Sequence, residues 1–98
     1  MILTTQEAVD ILKLNDASEY PELNILLAAV EEYIKSATGK DWGADTTIDP
    51  IAKIAACVLL IRWFEDPGMM GKVDNADKGF IGLISQLHAK VAVESVKE

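Results

Sequence analysis

From Asp49 to Asp66 the chain reads Asp-Pro-Ile-Ala-Lys-Ile-Ala-Ala-Cys-Val-Leu-Leu-Ile-Arg-Trp-Phe-Glu-Asp, and all eight residues from Ile54 to Ile61 are apolar. Asp before Pro marks a helix start: the carboxylate accepts from first-turn amides, and proline's fixed φ and missing N–H suit the first helical position. Eight apolar residues in succession reach every face of a helix. A short helix that is apolar all round must be surrounded by other protein. In 98 residues the remaining helices can hardly supply all of that cover. The expectation is a central helix wrapped on all sides, partly by sister chains, in a small domain made to associate.

Length sets one domain, 1–98, with a real but thin core: about 5,500 Å² of folded surface against about 15,500 Å² unfolded. Leu, Ile, Val and Ala supply most of the bulk and aromatics are few, a mix that suits a helical bundle. Sixteen acids against nine bases leave a net charge of −7, Arg62 is the single arginine, and the lysines are evenly spread. No basic stripe exists to release counterions from phosphates, which argues against specific nucleic-acid binding. Cys57 is the only cysteine, so no internal disulfide forms, and it reads as an inert core thiol. The N-terminus lacks a signal-peptide pattern, and the apolar helix, with Lys53 and Arg62, is too short to span a bilayer. These features predict a soluble protein made in a reducing cytoplasm.

The pattern predicts an all-α bundle of about four helices, near 5–14, 20–38, 50–65 and 80–92, with a long loop at 66–79. Thr4 with Glu7 three residues on is a capping box, and Asn15-Asp16-Ala17-Ser18 is a turn cluster. Leu23, Leu26, Leu27, Val30, Ile34 and Ala37 form the apolar stripe of the second helix, which Gly39 ends. Ala52, Ala55 and Ala56 let neighbours approach the third helix closely. Phe80, Ile81, Leu83, Ile84, Leu87 and Val91 mark the fourth, whose start Gly82 weakens by about 1 kcal/mol. The tail after about 91 either extends that helix or frays.

Chemistry is not legible. Asp74 to Ile81 faintly resembles a calcium loop, but Ala76, Lys78 and Ser85 fall where ligands are needed, so it reads as a polar turn. His88, the sole histidine, has no triad or zinc partners at meaningful spacing. Acidic pairs such as Glu31-Glu32 and Glu65-Asp66 read as solvated helix faces. No strand precedes a phosphate loop. No enzyme activity, metal, cofactor or small-molecule substrate is expected.

Four segments together carry a resemblance: Ile2-Leu3-Thr4-Thr5-Gln6-Glu7-Ala8; Leu26 to Ile34 running to Thr38-Gly39-Lys40; Asp49 to Ala56 running into Arg62-Trp63-Phe64-Glu65; and Leu83-Ile84-Ser85-Gln86-Leu87. In order and spacing they resemble the small head–tail connector proteins of tailed phages and prophages, the DNA-packaging or head-completion adaptors. One departure lies after Gln86-Leu87, where a basic residue is usual; here His88 follows and Lys90 comes later. The resemblance implies a homo-oligomeric ring beneath a portal protein that extends the DNA channel and receives the next tail-side component. DNA would pass without sequence-specific binding, and the location would be the virion's head–tail junction, after assembly in the host cytoplasm. Candidate contact residues are Trp42, Trp63, Phe64, Met69, Met70, Phe80, His88 and Lys90. The alternative is a small acidic helical module that binds and sequesters a host protein.

Overall fold

Helix α1, Thr5–Leu12, starts as its capping box dictates. Thr4 Oγ1 accepts from the Glu7 amide at 3.1 Å, and Glu7 Oε1 accepts from the Thr4 amide at 3.0 Å. It stops at Leu12 rather than 14 because Lys13 turns left-handed, at φ 59° and ψ 39°. Lys13 N–H then reaches Asp10 O at 3.3 Å, and Leu14 N–H reaches Val9 O at 3.0 Å. That closure satisfies the last carbonyls, at a cost of about 1 kcal/mol for a residue with a Cβ. The computed structural model describes residues 1–73 and 77–96, with side chains described as far as Val93.

Helix α2, Leu23–Thr38, begins three residues later than the sequence pattern indicates. Tyr20 precedes Pro21, whose ring disfavours helical backbone there, and Tyr20 sits at φ −134° and ψ 87°. Ala17–Glu19 instead forms a separate 3₁₀ turn capped by Asp16, which accepts from the Ser18 amide at 2.8 Å. Leu23, Leu26, Leu27, Val30 and Ile34 are buried along one stripe, and Gly39 closes the helix at φ 84°. Ala37 is exposed, so the stripe ends at Ile34 and Thr38.

Trp42 folds inward from a 3₁₀ turn, Trp42–Ala44, and is only 2% exposed. Its indole N–H donates to Thr38 Oγ1 at 2.8 Å, and that hydroxyl donates to Ile34 O at 2.7 Å. Both buried polar groups are thereby satisfied. Gly43 lies against the first residues: a Cβ there would collide with Glu31 Oε1 and come within 3.0 Å of Met1 Cα and 3.1 Å of Ile2 N. Glu31 Oε1 is already held by the Ile2 amide at 2.6 Å.

Helix α3, Pro50–Glu65, has the predicted bounds, with Asp49 Oδ1 accepting from the Ile51 amide at 2.8 Å. Ala52, Ala55, Ala56, Leu59, Leu60 and Trp63 are buried. The alanines leave room for the neighbouring helices α2 and α4 to pack close. The expectation of cover on every side is not met within one chain. Ile54 and Ile61 remain 49% and 38% exposed, and Cys57 and Val58 are half-buried. The other helices reach only one side of α3.

The stretch after α3 is not one open loop. Asp66, ahead of Pro67, is extended at φ −134°, and Pro67–Met69 forms a 3₁₀ turn. Lys72 N–H bonds Met69 O at 2.8 Å, and Lys72 O accepts the Trp63 indole N–H at 2.9 Å. Residues 74–76, read from sequence as a polar turn, lie outside the described residues. Helix α4, Lys78–Val96, starts earlier and ends later than 80–92. Asp77 O accepts from the Ile81 amide at 3.1 Å, and no Gly or Pro interrupts residues 92–96. Helices α2, α3 and α4 pack mutually, α1 lies across α2 and α3, and the molecule measures 45 × 32 × 17 Å.

Two substitutions test this packing. Leu60 is fully buried, so Leu60→Asp places an unpaired carboxylate in the core. A loss of several kcal/mol is expected, enough to abolish a cooperative melting transition in circular dichroism. Gly43→Ala should cost about 1–3 kcal/mol through overpacking. Denaturant titration reads that loss directly, and an unchanged midpoint would contradict the close approach at Gly43.

Candidate functional site

Among the described residues the exposed large apolar side chains are Met1, Ile25, Ile54, Ile61, Ile81 and Val93, and α3 carries two of them on one face. Ile54, Val58 and Ile61 are spaced four and three residues apart, so they share one face of the helix. That face lies opposite Ala52, Ala56 and Leu59. Beside it runs a groove of about 320 Å³ between α1 and α3, walled by Ile11, Leu12, Ile61 and Phe64 with Lys13 and Glu65 at its rim. Cys57 lies on the same flank, next to an ion pair in which Lys53 Nζ meets Glu7 Oε2 at 2.7 Å. Burial pushes the Cys57 thiol up, Glu7 adds to the shift and Lys53 partly offsets it. A thiol held protonated is a poor nucleophile, in keeping with the inert reading, although it is half-buried rather than enclosed.

The eight residues singled out from sequence separate into two groups. Trp42, Trp63 and Phe80 belong to the core of a single chain, at 2%, 0% and 2% exposure. Their surface is spent internally: Tyr33 packs edge-on against Trp63 at 5.7 Å and lies 6.0 Å from Phe80. These three are therefore corrected from contact residues to core residues. Phe64, Met69 and Met70 are half-buried, with Phe64 held edge-on by Tyr20 at 5.1 Å. His88 and Lys90 are exposed on α4, and Lys90 Nζ is bound to Asp49 Oδ2 at 2.7 Å. The residues missed were Ile54, Val58 and Ile61. Their signal was present in the contrast between the small face of α3 (Ala52, Ala55, Ala56) and the branched face opposite it.

A second depression, about 600 Å³, lies between residues 40–50 and the C-terminal half of α4. Trp42, Ile48, Pro50, Ala89 and Val93 line it. Its cations are not open to a ligand's charge: Lys90 pairs with Asp49, and Lys40 pairs with Asp45 at 3.2 Å while lying 4.5 Å over the Trp42 ring. Among the described residues no cluster of His, Cys, Asp and Glu could hold a metal ion, and no helix is long and apolar enough to cross a membrane. Comparison with known proteins gives no match, whether to a family model, a curated protein or a solved structure.

Three ion pairs set how the helices sit. Lys53–Glu7 joins α3 to α1, Arg62–Asp77 at 3.0 Å joins the end of α3 to the start of α4, and Lys90–Asp49 joins the start of α3 to α4. At Asp49, partial burial pushes the carboxyl up. The bond from Lys90, the Ile51 amide and the Lys90 charge outweigh it, leaving the group below its usual 3.8. The Lys53 hydrogen bond and the Thr4 amide hold Glu7 below its usual 4.5.

Both carboxyls are lowered by folding, so the unfolded chain binds more protons in acid and stability rises with pH across that window. The stabilisation is complete above about pH 5 and is lost as pH falls through the folded values, below about pH 4. Lys90→Met removes the Asp49 contribution. Melting temperatures of wild type and Lys90→Met should therefore differ at pH 7 and converge toward pH 2.5. A constant difference across that range would show that the pair does not couple to folding.

Proposed function

We propose that this protein is a structural adaptor that self-associates through α3, a ring-forming head–tail connector of the kind its sequence resembles. The single observation that carries the reading is the apolar stripe Ile54, Val58 and Ile61, left open on the central helix of the chain. Leaving a branched side chain half exposed forgoes about 1 kcal/mol of burial, and three in line form a ready contact strip. The function is mechanical on this reading. Copies assemble by complementary surfaces beneath a portal ring, and no bond is made or broken. A head-to-tail contact repeated by rotation closes a ring. The net charge of −7 fits a channel wall along which DNA slides without adhering.

The test uses Ile54→Asp and Ile61→Asp together. Both positions are only half covered, so the folded monomer should keep its helix content while losing about 2–3 kcal/mol of stability, and circular dichroism establishes that it still folds. Sedimentation should show wild type forming multimers, alone at high concentration or on isolated portal rings, and the double variant at least tenfold weaker in association. A wild-type protein that stays monomeric even with portal rings would overturn the reading.

A further inference from the structure

We draw no further inference here: the strongest candidate, the apolar depression between residues 40–50 and the C-terminal half of α4, carries nothing, because its lysines are already paired with Asp45 and Asp49 and nothing in the structure shows what covers it.

Discussion

A helix that is apolar on every side can be half covered by a chain this small, and that geometry governs the rest of the molecule. Leu59, Leu60 and Trp63 turn inward with Ala52, Ala55 and Ala56, and the small residues leave room for α2 and α4 to pack against this side of α3. Each fully buried Leu contributes about 1.5–3 kcal/mol relative to exposure. Rotation by half a turn puts Ile54 and Ile61 toward solvent, where they stay 49% and 38% exposed. The asymmetry follows from counting neighbours. Among the described residues only three other α-helices are available, and α1 is only eight residues long.

Around that helix the ion pairs act mainly on register. Lys90–Asp49 and Arg62–Asp77 fix α4 antiparallel to α3 at both ends, and Lys53–Glu7 fixes α1 at the flank. All three are partly exposed, so each contributes little to net stability. Their value lies in excluding slipped packings that would serve the apolar surfaces nearly as well. Asp49 is the most economical example: one oxygen caps α3 and the other binds Lys90, so the start of one helix and the late turns of another are set by a single carboxylate.

The helices themselves were legible because their signals are local. Thr4 with Glu7, Asp49 with Pro50, and Gly39 each dictate a helix end through hydrogen bonds within a few residues. The displaced boundaries at 20 and 14 have equally local causes, proline restriction at Tyr20 and a left-handed lysine at 13, but these compete with good helix-forming patterns on either side. Burial was harder to read. Trp42, Trp63 and Phe80 have the composition of contact residues, yet each ring finds its partner elements through tertiary packing that no local pattern encodes. The open stripe escaped notice for the opposite reason. An unbroken apolar run hides its own polarity, and only the size contrast between alanines and isoleucines distinguishes its two sides.

Where the charge sits decides whether such a stripe leads to ordered association or to precipitation. The connections 13–22, 39–49 and 66–77 hold nine of the sixteen acids but only three of the nine bases. Six of the seven net negative charges thus fall in the connecting segments of the sequence, and Asp45, Asp49 and Asp77 among these acids are paired with Lys40, Lys90 and Arg62. An apolar strip on a uniformly neutral protein would invite contacts in every orientation. A net charge of −7 sets a general repulsion between copies that any such contact has to overcome.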